Sequence, residues 1–93
     1  MGLQETLRAL ADPIRLEILI ILRDGRRSAG YITDRFDVTG ASISRHLSVL
    51  KSAELVRDKR EGKFIFYELN PSVLDELEDW IKDFKSHANS NQP

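Results

Sequence analysis

The spacing of apolar residues divides the chain into five helices and one β-hairpin. Three leucines at steps of four and three predict a short amphipathic first helix, namely Leu3, Leu7 and Leu10. Residues 14–23 are apolar at nearly every position, and a helix of that kind belongs in a protein core. Asp12 and Pro13 supply the N-cap and the first turn of this second helix, and Gly25 is expected to end it.

Two further helices are predicted on either side of a tight connection at residues 37–38. Ser28 can cap the third helix and Thr39 the fourth. The inward side of the third helix is expected to hold Tyr31, Ile32 and Phe36. Two short helices separated by about three residues are typical of a helix-turn-helix.

After Leu55 the apolar period changes from helical to strand-like. Residues 55–59 and 64–69 are rich in β-branched and aromatic side chains, and they flank the turn Arg60-Glu61-Gly62-Lys63, which predicts a hairpin. Asn70 and Pro71 then open a last helix. Its apolar residues are Val73, Leu74, Leu77, Trp80, Ile81 and Phe84. Residues 88–93 are polar, and we expect them to form a disordered tail.

Composition limits the classes of function. The 93 residues fit one domain, and 41% hydrophobic with 31% charged residues is ordinary for a soluble protein. No apolar run could cross a bilayer and no secretory pattern is present, so a cytoplasmic location is expected. The absence of cysteine excludes thiolate metal sites and thiol redox sensing. With two histidines in unlike settings and no glycine-rich phosphate loop, we expect no enzyme, no cofactor and no metal.

The net charge of −1 hides an uneven distribution. Residues 1–37 hold six basic and six acidic residues, whereas residues 38–66 hold six basic and three acidic, a balance of +3. Residues 67–93 hold two basic and six acidic residues, a balance of −4, and their order along the last helix complements its dipole. The basic middle has no such explanation, and it indicates a polyanion as partner.

The fourth helix carries four serines around an arginine. At about 100° per residue, Ile43, Leu47 and Leu50 form one buried stripe. Arg45 falls near 200° from Ile43, and the opposite side also holds Ala41, Ser44, Ser48 and Ser52. Small hydroxyl side chains let a helix enter the major groove, where arginine can bind guanine bidentately. A serine-rich side that packs on a partner protein is the alternative.

The hairpin and the histidines need separate interpretations. The turn carries Lys59, Arg60 and Lys63 next to the fourth helix, so it can reach the DNA backbone or minor groove, although an exposed turn is often charged without such a role. His46 lies near 300°, on the flank of the buried stripe, which favours a partly buried, hydrogen-bonded ring over a phosphate contact. His87 in the polar end is expected to face solvent.

Three stretches together resemble the ArsR-type winged-helix repressors: LADPIRLEILIILRDG, SISRHLSVLKSAELV and REGKFIFYELNP. The resemblance covers residues 3–85, and the run from Gly62 to Phe84 is similar to the SdpR-like autorepressor branch. It implies a mostly α fold with a small β-hairpin, a winged helix-turn-helix, as a single DNA-binding and dimerisation domain over residues 1–87. It also implies a homodimeric repressor of operator DNA that can repress its own gene.

The resemblance points to two sets of residues. The expected DNA contacts are Thr39, Gly40, Ala41, Ser42, Ser44, Arg45, His46, Lys59, Arg60 and Lys63. The expected dimer interface is Leu3, Leu7, Leu77, Trp80, Ile81 and Phe84, of which some can instead serve the core. Many relatives have a polar residue at Gly40 or Ala41, so one base contact is expected to be missing. The metal-binding motifs of metal-sensing relatives are also missing. A winged-helix module that binds a protein remains the alternative function.

Overall fold

The computed structural model describes the backbone of residues 2–90 and the side chains of residues 2–88. Within these residues the chain folds into five α-helices and a three-stranded antiparallel sheet. The elements are α1 (Leu3–Leu10), α2 (Pro13–Ile21), a short 3-10 helix (Leu22–Asp24) that ends at Gly25, β1 (Arg27–Ser28), α3 (Ala29–Thr33), α4 (Gly40–Ser52), β2 (Val56–Glu61), β3 (Phe64–Leu69) and α5 (Pro71–Ser90). The predicted class, mostly α with a small hairpin, is confirmed.

Polar caps set the start of four helices at the predicted residues. Asp12 Oδ1 accepts from the N–H groups of Ile14 at 2.8 Å and Arg15 at 3.4 Å. The other three caps are Ser28, Thr39 and Asn70, which accept from the N–H groups of Tyr31, Ser42 and Ser72 at 3.1, 3.1 and 3.2 Å. Each cap satisfies an N–H group that has no partner inside its helix, so the sequence determines these boundaries locally.

The core forms where α2, α3, α4 and the start of β2 meet. Its fully buried large side chains are Ile18, Leu22, Ile32, Ile43, Leu47, Leu50, Leu55 and Val56. The stripe predicted for α4 is confirmed, because Ile43, Leu47 and Leu50 are all among them. The prediction for Tyr31 is wrong, since the residue is 38% exposed whereas its neighbour Ile32 is buried.

The hairpin is longer than predicted and has a third strand. Val56 pairs with Leu69 and Glu61 with Phe64, so only Gly62 and Lys63 remain in the turn. Gly62 has a φ of +63°, which glycine adopts without strain. Strand β1 pairs with the other edge of β3, Arg27 with Tyr67 and Ser28 with Phe66. Two residues are too few to show an alternating pattern, so β1 could not be predicted.

Helix α5 runs past the expected end of the domain. It continues to Ser90, so residues 88–90 are helical where a disordered tail was expected, and residues 91–93 lie outside the described part of the chain. The first half of α5 and the beginning of α1 line a cavity of about 190 Å³, and its walls include Leu3, Leu77 and Trp80. No helix within residues 2–90 is long and apolar enough to span a membrane.

Candidate nucleic-acid interface

The side of α4 opposite the core is open to solvent. Its exposed residues are Ala41, Ser44, Arg45, Ser48 and Ser52, and Ser42 is half-buried. The buried stripe fixes the rotation of α4 about its axis, because turning it would expose Ile43 or Leu47. The structure therefore presents the serines and Arg45 together on one outward surface.

The beginning of α4 is shaped by its cap and by contact with α3. The Thr39 hydroxyl accepts from Ser42 N–H, so one of its acceptor positions is engaged inside the helix. Gly40 is exposed, and a Cβ at its position would lie 3.9 Å from Cγ2 of Thr33. That spacing is ordinary contact, so α3 lies directly beside the first turn of α4.

His46 is held inside the fold. Its side chain is 14% exposed, and Nδ1 lies 3.2 Å from Nη1 of Arg15 and 4.0 Å from Oδ1 of Asp12. The interpretation of His46 as a partly buried, hydrogen-bonded histidine is confirmed. His46 therefore connects α4 to α2. Among the expected DNA contacts, its side chain points towards the fold and not towards the outward surface of α4.

A groove runs between α1 and the outward side of α4. Arg45, Ser48 and Ser52 line one wall and Glu5 and Arg8 the other, around about 280 Å³. The second half of the serine surface therefore borders α1, whereas Ser44 and Ala41 are not part of this wall. The first turn of α4, next to Thr39, therefore lies outside the groove.

The hairpin carries cations whose acidic neighbours are already paired. Asp58 accepts from Lys51 at 3.1 Å, and Glu61 accepts from both terminal nitrogens of Arg26 at 2.7 and 2.8 Å. The hydrogen bonds from Arg26 hold the pKa of Glu61 below its usual range. Within the described residues no ion pair is formed by Arg45, Lys59, Arg60 or Lys63. The positive charges of these four side chains are therefore not neutralised by ion pairs.

Arg26 was not identified from the sequence as part of this region. Its guanidinium lies 4.2 Å from the ring centroid of Phe66 and reaches across β3 to Glu61, 35 residues away. The Arg26–Glu61 pair joins the chain before β1 to the hairpin tip, in addition to the pairing of β1 with β3. The Arg26-Arg27 sequence resembles the charged end of a helix, and only the pairing of β1 with β3 shows its role.

The expected dimer residues divide into two groups. Leu3, Leu77 and Trp80 are half-buried around the cavity between α1 and α5. Leu7, Ile81 and Phe84 are 43%, 48% and 57% exposed. The rings of Trp80 and Phe84 lie 4.0 Å apart, so the apolar surface is continuous along α5.

The sequence is similar to a helix-turn-helix family and to bacterial transcriptional repressors. A family described as "Helix-turn-helix domain" matches residues 10–58. The transcriptional repressor SdpR of Bacillus subtilis is 43% identical over 77 residues, which cover 83% of this chain and 86% of that protein. The repressor SmtB of Mycobacterium tuberculosis is 38% identical over 90% of this chain, which spans 60% of its length.

Solved structures agree on the fold. The crystal structure of an ArsR family transcriptional regulator superposes with a TM-score of 0.90 at 22% identity, covering 97% of this chain and 93% of that one. The helix-turn-helix, the hairpin wing and the sequence similarity agree with one another. The chain belongs to the ArsR-type winged helix-turn-helix family, whose members are DNA-binding transcriptional regulators and not enzymes.

Proposed function

We propose that the chain is a homodimeric repressor that binds an inverted-repeat operator through α4 and the hairpin wing. The observation that carries this proposal is the outward surface of α4, where small hydroxyl residues surround an arginine without a carboxylate partner in the described chain. A surface that served only solvation would more commonly carry glutamate, lysine and glutamine.

The first turns of α4 are proposed to read the bases. Thr39, Gly40 and Ala41 are exposed and small, so the helix can approach the floor of the major groove closely. Ser44 can donate to a base edge or a phosphate, and Arg45 can bind O6 and N7 of guanine together. Because residues 40–41 carry no long polar side chain, one base position is expected to lack a side-chain hydrogen bond from α4.

The wing is proposed to contact the backbone beside that groove. Lys59, Arg60 and Lys63 are exposed and lie near the Gly62 turn. These cations attract phosphates without regard to sequence and make affinity depend on salt. The Arg26–Glu61 pair occupies the carboxylate nearest the wing turn, so Glu61 is not free to neutralise these cations.

Two copies are proposed to associate through α1 and α5. Leu7, Ile81 and Phe84 are large, apolar and exposed in the single chain, and association through α1 and α5 would remove these side chains from water. A twofold dimer would place two α4 helices about 34–36 Å apart, in successive major grooves. This arrangement matches an operator with inverted half-sites.

We also propose that DNA release does not depend on a metal. The chain has no cysteine, and no cluster of three or more potential ligands occurs within residues 2–88. That the chain acts as a repressor is supported by its similarity to the transcriptional repressor SdpR, and repression of its own gene is part of the proposal.

The proposal is tested by selection from random duplex DNA followed by footprinting. We expect an inverted repeat whose half-site centres are about one helical turn apart, and a dimer in sedimentation at micromolar concentration. Failure to enrich any sequence, together with binding to a protein partner that salt does not weaken, would instead favour a winged-helix interaction module.

A further inference from the structure

A cationic cluster outside the core surrounds α3: the half-buried Arg27 of β1 precedes the helix, Tyr31 lies within it and Arg35 follows its end. The guanidinium of Arg35 lies 4.0 Å from the ring centroid of Tyr31, and that of Arg27 lies 4.9 Å from the same centroid. Tyr31 is 38% exposed and Arg35 is exposed. The cluster is therefore accessible to a ligand.

The charges of the cluster are not neutralised by ion pairs. Neither Arg27 nor Arg35 forms one within the described residues, whereas the nearby Arg26 is paired with Glu61. The guanidinium of Arg35 beside the ring holds the pKa of Tyr31 below its usual value, although the charge of Asp24 acts in the opposite direction. A phenol of lowered pKa is a stronger hydrogen-bond donor to an anion.

The position of the cluster relates it to both DNA-facing elements. Arg27 belongs to β1, which pairs with the wing strand β3, and Thr33 of α3 lies beside Gly40 in the first turn of α4. Helix α3 thus lies between the wing and α4. In helix-turn-helix proteins the helix before the recognition helix crosses the DNA backbone.

We propose that Tyr31, Arg27 and Arg35 form a binding site for a phosphate group of the DNA backbone, in addition to the contacts of α4 and the wing. This inference rests on the proposed DNA-binding function and extends it to α3. The arginines supply charge and the tyrosine ring holds both guanidiniums in place by cation–π contact. The hydroxyl supplies a neutral donor to the same phosphate.

The test compares the salt dependence of binding for the full-length protein and three variants. The probes are a duplex carrying the sequence recovered by selection and a duplex of unrelated sequence. Arg35→Gln is expected to reduce the slope of log affinity against log salt by about one unit on both duplexes. Tyr31→Phe keeps the ring and removes the donor, so we expect about two- to tenfold weaker binding with an unchanged slope.

Lys85→Gln is the matched control, because Lys85 is exposed on α5 and, like Arg35, forms no ion pair within the described residues. It is expected to leave the slope unchanged. A wild-type slope for Arg35→Gln would overturn the phosphate site while leaving the proposed operator binding intact. Should Arg35→Gln fail to fold, wild-type affinity of Tyr31→Phe would overturn it. Absence of DNA binding by the wild-type protein would overturn both.

Discussion

Arg15 donates from Nη1 to Nδ1 of His46 across 3.2 Å and thereby joins α2 to α4. Arginine cannot accept a hydrogen bond, so Nδ1 is the acceptor and the ring proton of neutral His46 is on Nε2. The same guanidinium donates to the carbonyls of Ala9 at 2.6 Å and Arg8 at 3.2 Å, at the end of α1. One side chain therefore connects a proposed dimerisation helix with the proposed DNA-reading helix.

Replacing Arg15 by methionine should destabilise the fold. The change removes three donated hydrogen bonds, one of them to Nδ1 of His46. We expect a loss of about 2–3 kcal/mol in the free energy of unfolding. Urea unfolding of Arg15→Met measures it. Arg23→Met, at an exposed arginine, is the control, and equal stability of the two variants would contradict the role assigned to Arg15.

Asp12 should make stability fall in acid. Although partial desolvation acts in the opposite direction, the hydrogen bonds from Ile14 and Arg15 hold the pKa of Asp12 below its ordinary value of 3.8. A lowered folded pKa adds stability above the unfolded pKa, and that stability is lost as pH falls through the folded value. Asp12→Asn keeps an N-cap oxygen and should show a shallower loss of melting temperature below pH 4. Identical pH profiles would show that Asp12 contributes nothing.

Replacing Arg45 by alanine should reduce both affinity and selectivity. If Arg45 binds a guanine bidentately, its loss costs about 1–3 kcal/mol and relaxes the preference at one base position. Selection experiments with both proteins compare the preferences directly. Arg57→Ala is a suitable control because Arg57 is already paired with Glu68 at 2.9 Å. An unchanged base profile for Arg45→Ala would exclude base reading by this residue.

Replacing Lys63 by alanine should weaken binding equally on all sequences. Lys63 is exposed in the turn of the wing and has no carboxylate partner among the described residues. Loss of one phosphate contact lowers the salt slope by about one unit. Titrations at several salt concentrations measure the slope, and a sequence-dependent loss would instead indicate contact with bases.

Phe84→Asp should separate the dimer without unfolding the chain. Phe84 is 57% exposed in the single chain, so its replacement costs little folding energy, whereas a carboxylate in an apolar interface is strongly unfavourable. Sedimentation should show a monomer with unchanged circular dichroism. Ser86→Asp adds the same charge about 200° away around α5 and should remain dimeric. A dimeric Phe84→Asp would place the interface elsewhere.

The sequence by itself determined the features that depend on near neighbours. The caps at Asp12, Ser28, Thr39 and Asn70, the wing turn at Gly62 and the two sides of α4 all follow from residues within a few positions of one another. Local hydrogen bonds and helical or strand periodicity decide such features, and these are visible in the order of residues.

Only the tertiary structure decided which side chains meet across the fold. Arg15 meets His46 31 positions away, Arg26 meets Glu61 35 positions away, and Tyr31 turns outward between Arg27 and Arg35 instead of entering the core. An arginine or tyrosine side chain can lie in many different environments. The packing of β1, α3 and α4 decides which environment each of these side chains has. The physical reason is that a long polar side chain can adopt many conformations, and folding decides which partners come within its reach. Apolar periodicity predicts only which side of an element is buried.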